Sequence, residues 1–227
     1  MVKSKQLKLL RKKFEKANKS SLDVWLAEKD ATSTSTCINT SSSTNTINTI
    51  NNDHKDLSFH SWNALQLASE PGRLQECMDL FLTNMGDQYR ASSWGLNCDD
   101  KQAEWSHAHA RFLVVLSTTN NNMAGFCHYR FDYDDEDDPS EVVLYVYELQ
   151  IQPNVQRRGL GRTIMSMLEQ LARSMELSKI MLTVFKSNQG AMHFYRNVLH
   201  YDMDDSSPSN HGQVVDYEIL CKRIEYQ

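Results

Sequence analysis

The feature that most restricts this chain is the junction between residues 142 and 175. An apolar run at 142–152 reads as a strand, the six residues QRRGLG (156–161) follow, and Leu160, Ile164, Leu168, Leu171 and Met175 then recur at helical spacing. A strand that passes through two glycines into an amphipathic helix is the first half of a strand–helix–strand unit. Gly159 and Gly161 let the backbone approach a ligand closely, and the first turn of the helix leaves several N–H groups unpaired. Such a junction is a receptor for phosphate, and Arg157 and Arg158 add positive charge. It is not the dinucleotide pattern GxGxxG, nor a P-loop, because the GK[ST] ending is missing. An ordinary helix start accounts for the same six residues, so the junction alone names no ligand.

The pattern around the junction is a mixed α/β one. The folded domain is expected to begin near Leu57. The stretch 57–67 is ambiguous between strand and helix. Pro71 stands just inside a helix that continues through Leu74, Met78, Phe81, Leu82 and Met85. A short helix opened by Asp99 or Asp100 contains Trp105. Strands are expected at 110–117, 123–133 and 142–152, the first two joined at Asn120–Asn122 and the last two by an acidic loop, as antiparallel neighbours. Downstream come a helix from Leu160, a strand at 180–185, a helix at 188–198, a short extended piece at 201–203 and a last strand at 214–223. The expectation is one mixed, mostly antiparallel sheet with helices on both faces.

Upstream, residues 3–19 carry eight basic side chains against Glu15 alone, with Leu7, Leu10, Phe14 and Ala17 at helical spacing. This basic amphipathic helix fits a nuclear import signal, a partner-binding arm, or a helix laid on the domain with its charges in water. Ser20 or Ser21 can cap a further turn through Leu22, Val24, Trp25 and Leu26. In 31–52, 17 of 22 residues are Ser, Thr or Asn, too polar to offset the entropy of ordering a backbone. The chain therefore divides into a basic segment (1–30), a low-complexity linker (31–55) and one domain (56–227).

Outside residues 3–19, 16 basic side chains face 28 acidic ones, a balance of −12. So acidic a domain makes a poor nucleic-acid platform and a fitting receptor for a basic partner. No apolar run approaches the roughly 18 residues that cross a bilayer, and the N-terminus lacks the apolar stretch of a secretory signal. A soluble intracellular protein is expected, with no membrane partner. The cysteines, Cys37, Cys77, Cys98, Cys127 and Cys221, are widely spaced, and His107 and His109 have no evident third ligand, so neither disulfides nor a metal site are expected.

The segment QRRGLG resembles the coenzyme A pyrophosphate loop of the GCN5-related N-acetyltransferases, [Q/R]xxGx[G/A], with Gln156, Gly159 and Gly161 at its defined positions. The sequences LYVYELQ (144–150), MLTVFK (181–186), NQGA (188–191), DDSSPS (204–209) and YEIL (217–220) resemble the N-alpha-acetyltransferase D branch, over roughly 59–223. The linker lies outside that likeness, and the acidic loop after Tyr133 is longer than the branch leads one to expect.

The resemblance implies a single acetyltransferase domain that uses acetyl-coenzyme A and no metal, and acetylates the N-terminal Ser of histones H4 and H2-A. Glu148 corresponds to the catalytic carboxylate beside the incoming amine, Tyr147 and Tyr145 line its channel, and Tyr217 closes over the substrate N-terminus. Asp132, with Asp134 beside it, corresponds to the acid that engages Arg at the third tail residue. Tyr89 and Trp94 form a wall of the peptide site. Gln156, Arg157, Arg158, Gly159, Leu160 and Gly161 cradle the pyrophosphate, Asn188 meets the pantetheine arm, and Tyr195 lies where it can protonate the leaving thiolate. Leu149 and Ile151 offer backbone N–H groups to the thioester carbonyl.

The residues partly support these roles on their own. A Glu between apolar neighbours in a strand is costly unless paired or useful, and partial burial makes it a better base. A cross-sheet salt bridge serves equally as its reason. Tyr89, Trp94, Tyr145 and Tyr147 fit as core aromatics too. Strict alternation points both strand tyrosines away from Glu148, so their joint access to one site requires a bulge. An α-amino group, with a reference pKa of about 7.7 to 8, is partly neutral near pH 7, whereas a lysine near 10.4 needs a stronger deprotonating device. The dense acidic block, Asp132 and Asp134 to Asp138 with Asp202, Asp204 and Asp205, suits an Arg- and Lys-rich tail or a merely solvated loop. The competing functions are acetylation of a lysine or another amine, and a catalytically inactive tail-binding module. The basic segment is a candidate contact for ribosomes.

Overall fold

The computed structural model describes residues 2–19, 46–47, 54–135, 137 and 139–226, with side chains omitted at 2–5 and 46–47. The expected turn at Leu22–Leu26 and its caps, Cys37, the linker apart from Thr46–Ile47 and His54–Lys55, Glu136 and Asp138 lie outside the described residues.

One sheet organises the domain. Its strands are β1 (Thr46–Ile47), β2 (Leu57–Asn63), β3 (Arg111–Ser117), β4 (Met123–Tyr133), β5 (Val142–Ile151), β6 (Lys179–Phe185), β7 (Asp202–Met203) and β8 (Tyr217–Arg223). They lie in the order β1-β2-β3-β4-β5-β6-β8-β7. Every pair is antiparallel except β5 with β6, which are joined by the helix expected after the glycine junction. This is the mixed, mostly antiparallel sheet flanked by helices that the sequence leads one to expect.

Alternation along the central strands feeds two cores. On β3, Leu113 and Val115 face the helices α1 (Val2–Lys19), α5 (Leu160–Ser174) and α6 (Gln189–His193). Phe112, Val114 and Leu116 face α2 (Ala64–Ser69), α3 (Arg73–Ala91) and α4 (Cys98–Trp105). Burial on both faces explains why these strands read as nearly continuous apolar runs.

Several element ends differ from the sequence reading, each for a local reason. The ambiguous stretch 57–67 is a strand followed by a helix. Asn63 closes a capping box, its side chain accepting from Gln66 N at 2.9 Å while the Gln66 side chain accepts from Asn63 N at 2.8 Å. Helix α3 starts at Arg73, two residues past Pro71, because Gly72 at φ +77° turns the chain into it. Asn97, not Asp99 or Asp100, opens α4, its side chain accepting from both of their amides. The helix expected over 188–198 is α-helical only to His193, then a π-turn over Phe194–Val198. Strand β8 begins three residues later than expected, and Val214 is fully exposed.

The basic N-terminal helix lies on the sheet. Phe14 stacks on Tyr133 with ring centroids 4.7 Å apart, Ala17 is buried, and Asn18 donates to the Phe131 carbonyl at 3.2 Å. Leu7, expected in the apolar stripe, is half exposed, because docking runs through Leu10, Phe14 and Ala17. Lys8, Arg11, Lys12 and Lys19 face water.

At the far end of the sheet, Asp204 corrects the reading of the DDSSPS segment as surface charge. Its carboxylate is buried and lies 2.9 Å from Lys179 Nζ, and it accepts from the Ser206 amide and hydroxyl. Burial opposes its ionisation, but the hydrogen bonds from Ser206 and Lys179 outweigh that and hold its pKa at about 2. The folded pKa is depressed, so the pair's stabilisation is full above the unfolded value of 3.8 and is lost as pH falls through about 2. Asp204→Asn, which leaves Lys179 with Glu141 alone, is expected to cost about 3 kcal/mol or more in urea unfolding at pH 7, and much less near pH 2.

Candidate active site

The site opens where the sheet splits. Pairing between β5 and β6 ends at Val146 and Leu182, although β5 continues to Ile151 and β6 to Phe185. Residues 147–151 therefore border a cleft instead of a neighbouring strand. Opposite them, β4 pairs His128 with Glu148 and then Tyr129 with Val146, leaving Tyr147 as an extra residue. This is the bulge that joint access requires. Beyond it the alternation is reset, so that Tyr147 and Glu148 line one cavity.

The larger cavity, about 540 Å³, is lined by Leu149, Ile151, Gln156, Arg157, Gly159, Leu160, Gly161, Asn188 and Tyr195, nine of the ten residues expected to hold coenzyme A. The tenth, Arg158, is outside this lining, its guanidinium 3.9 Å from Asp56. The loop is shaped by left-handed residues, Arg157 at φ +62° and Gly159 at +85°. Gly159 precedes α5 without a side-chain cap, and Thr163 N is the amide that bonds back to its carbonyl, at 3.0 Å. The amides of the first turn are thus left for an anion. At Gly161 a Cβ would stand 3.1 Å from Phe194 Cζ and 3.3 Å from Ile151 Cδ1, so any larger residue would make these side chains yield by a few tenths of an ångström. Gln156 closes the loop, donating to the Ile151 carbonyl at 3.0 Å. These residues fit a pyrophosphate-bearing thioester: free amides at a helix start, a basic rim and a long apolar floor.

A second cavity of about 70 Å³ shares Met85, Leu149, Gln150, Asn188, Ala191 and Tyr195 with the first. Its remaining walls include Tyr89, Trp94, Phe185, Tyr147 and Glu148. Tyr89, Trp94 and Phe185 pack together with ring centroids 5.1 to 6.0 Å apart. Asn188 caps α6 by accepting from Ala191 N at 3.1 Å, and the π-turn that follows carries the buried Tyr195 at the wall common to both cavities. Burial raises the Tyr195 phenol far above its usual range, so it holds its proton at neutral pH.

Glu148 is 5% exposed. Its Oε1 accepts from Lys101 Nζ at 2.9 Å and from the Tyr89 hydroxyl at 3.5 Å, and its Oε2 accepts from Gln150 Nε2 at 2.7 Å. Burial raises its pKa, while the Lys101 ammonium pulls the other way. The carboxylate is therefore both ionisable and more basic than a solvated one. Glu148 is in a salt bridge, though with Lys101 of helix α4 and not across the sheet as the sequence left open, and it still borders the cleft.

The remaining expected residues divide. Asp132 Oδ2 accepts from the Tyr147 hydroxyl at 3.1 Å, at the half-exposed end of β4. Tyr145 packs 5.0 Å from the Tyr147 ring and shares a 2.6 Å hydrogen bond with Thr183, one residue behind the small cavity's wall. Tyr217 covers the outer side of Trp94, with ring centroids 4.9 Å apart. The Asp134 carboxylate accepts from the Ser140 amide and hydroxyl and the Glu141 amide, so it holds its own loop together.

Sequence reasoning missed Lys101, Glu104 and His128, which pack behind Glu148. One signal was available: Lys101 lies four residues before Trp105 and so shares its buried helix face.

The comparisons bear on the whole domain. The model described as "Acetyltransferase (GNAT) family" matches residues 74–201, more than half of the chain. An acetyltransferase from Streptococcus agalactiae 2603 superposes with a TM-score of 0.54 at 14% identity, over 74% of this chain and 99% of that one. An acetyltransferase of the GNAT family from Staphylococcus aureus Mu50 gives a TM-score of 0.54 at 12% identity, with the same coverage of 74% and 99%. The ribosomal-protein-S18-alanine N-acetyltransferase from Escherichia coli gives 0.50 at 17% identity, over 75% and 96%. At such identities the likeness speaks to fold.

Proposed function

The chain belongs to the GNAT acetyltransferase family, and from that premise we propose that it acetylates the N-terminal α-amino group of a basic tail beginning Ser-Gly-Arg-Gly, that of histones H4 and H2-A. As a member of that family it is an acetyl-coenzyme A-dependent acetyltransferase. The observation that carries the finer reading is a small cavity, with one carboxylate in its wall, that shares part of its lining with the large one. The large one, of about 540 Å³, carries the glycine turn and helix start suited to a nucleotide thioester, and the small one, of about 70 Å³ with Glu148 in its wall, admits a small first side chain such as Ser.

Acetyl-coenzyme A, when bound, supplies an acetyl group as an activated thioester. The chain's own residues do the rest. The amides at the start of α5, with Gln156 and Arg157, hold the pyrophosphate, and Asn188 and Tyr195 border the path of the arm. Tyr89, Trp94 and Tyr147 confine the tail's first residue. Glu148 takes the proton that the α-amine must lose as it attacks, a task suited to a carboxylate whose pKa burial has raised toward that of the amine. Tyr195 keeps its proton for the departing sulfur. Asp132, steadied by Tyr147, offers a carboxylate to Arg at the third tail position, with Asp135 and Asp137 exposed beyond it. The same reading has the enzyme meet its histones in cytoplasm and nucleus, and leaves the exposed lysines of α1 for contact with ribosomes.

The test is acetyl transfer to matched peptides, with the modified group located by mass spectrometry. The free Ser-Gly-Arg-Gly tail is expected to gain one acetyl group, at its α-amine, and the N-terminally blocked tail none. Replacing the peptide's third-position Arg by Ala, or Asp132 by Asn, is expected to raise KM about tenfold or more, the worth of one charge-assisted contact. Acetylation of the blocked peptide would make this a lysine acetyltransferase. No transfer to either peptide would overturn the histone-tail reading.

A further inference from the structure

Lys101 is a buried cation that the chemistry above does not use. It stands on α4, is 8% exposed, and places its ammonium between two carboxylates. Glu148 Oε1 lies 2.9 Å away on one side, and Glu104 Oε1 and Oε2 lie at 3.1 and 3.3 Å on the other. The Tyr89 hydroxyl is 3.4 Å from the same nitrogen, and the rings of Phe81 and Tyr89 flank it at 5.2 and 5.3 Å. The Glu104 side chain is 26% exposed, so it reaches water where Glu148 does not.

We propose that Lys101 is a positioning residue for the proton transfer: its ammonium keeps the Glu148 carboxylate ionised and turned to the cleft, and Glu104 behind it is the outlet for the abstracted proton. The inference rests on Glu148 being the base of the proposed reaction. A carboxylate buried this deeply without a counter-charge takes up a proton and ceases to be a base. The other groups near it do not supply that charge. His128, stacked on Phe112 and 3.4 Å from Glu104, is held neutral at pH 7 because burial lowers its pKa to about 4. The Arg130 guanidinium lies over the Tyr147 ring and donates to the Glu104 main-chain carbonyl. Tyr89, Gln150, Cys127 and Tyr195, which complete the surroundings, are uncharged near neutrality.

The transfer balances without an external group. Glu148 gains the proton lost by the substrate amine. Lys101 passes one N–H proton to Glu104 as it takes the proton from Glu148, and so ends as the same ammonium. Glu104 then releases the proton to solvent, and Glu148 is again a carboxylate.

The experiment is a ¹³C NMR titration of the full chain labelled at glutamate carboxyls, with the Glu148 signal identified by its loss in Glu148→Gln. In Lys101→Met the Glu148 midpoint is expected to move up in pH, and in Lys101→Arg to stay near that of the unaltered protein. In Glu104→Gln it is expected to move down, because the ammonium is then left to Glu148 alone. If Lys101→Met fails to fold, the sign of the Glu104→Gln shift decides. An unmoved midpoint in folded Lys101→Met, or an upward or absent shift in Glu104→Gln, would overturn the proposal. The titration needs no acceptor, so a failure of the tail peptide as substrate counts against the histone reading and leaves this one standing. Where the peptide is acetylated, Lys101→Met is expected to displace the acid limb of kcat/KM to higher pH, losing about tenfold or more at pH 7 and recovering in alkaline buffer. A purely structural role would lower activity equally across the profile.

Discussion

Replacing Glu148 by Gln is expected to lower kcat for acetyl transfer by about a hundredfold to ten-thousandfold, the usual worth of a positioned general base. Gln keeps the shape and can still accept from Lys101 at Oε1, but it cannot take a proton. Lys101 retains Glu104 as a charged partner, so the change does not strand a buried cation. The variant should melt within a few degrees of the unaltered protein. Its affinity for acetyl-coenzyme A should hold as well, because Glu148 borders the small cavity and not the large one. Steady-state kinetics with calorimetric binding separates these effects. A fall in kcat of less than about tenfold would assign the proton transfer elsewhere, and a matching loss of coenzyme binding would show a collapsed site.

The second large effect concerns the turn before α5. Gly159→Val is expected to weaken coenzyme A binding by about tenfold to a hundredfold, read as Kd by calorimetry. A Cβ at Gly159 meets nothing within 4 Å, so the penalty comes from the backbone. At φ +85° an L-residue is strained by about 1–2 kcal/mol, more for a β-branched one. Relief of that strain turns the amides away from the anion they are aimed to receive. Each 1.4 kcal/mol lost is a factor of ten in Kd. Gly161→Ala makes the complementary control. There the φ is unexceptional and the problem is space, since Phe194 and Ile151 must each yield by a few tenths of an ångström. It should bind coenzyme A more tightly than Gly159→Val does. The reverse order would make helix packing, not the left-handed turn, the feature that shapes the anion site.

These two residues also mark how far the site was legible. Gly159 and Gly161 stand in a six-residue motif whose meaning is local. Left-handed backbone and close approach both favour glycine, and the strand and helix on either side announce themselves by periodicity. The large cavity's lining follows from that stretch with Asn188 and Tyr195 added, and Arg158 alone of the residues expected there stands outside it. Which of two adjacent arginines faces the cavity depends on a backbone turn, here Arg157 at φ +62°, that residue type does not specify.

The small cavity was less legible because its logic is pairwise and distant. Glu148 could be singled out as a costly residue in a strand, but its partner Lys101 is 47 positions away and reads as one more charge on a short polar helix. Asp134 and Asp204 looked like members of an acidic surface, whereas Ser140 engages the first, and Ser206 with Lys179 of β6 engages the second. In each case the carboxylate's role is set by which hydrogen-bond donor the fold brings within 3 Å.

Local patterning in the amino-acid sequence thus sufficed for the mixed sheet, its flanking helices and the glycine turn, since all three arise from backbone preference and from the spacing of apolar side chains. The register of β4 against β5 was beyond it. Alternation in β5 alone sends Tyr147 and Glu148 to opposite faces, and pairing with His128 and Tyr129 inserts the extra residue that brings both to the cleft. Such a bulge is a property of two strands together, settled by packing on both sides of the sheet, and it is what puts a buried glutamate in the wall of the small cavity.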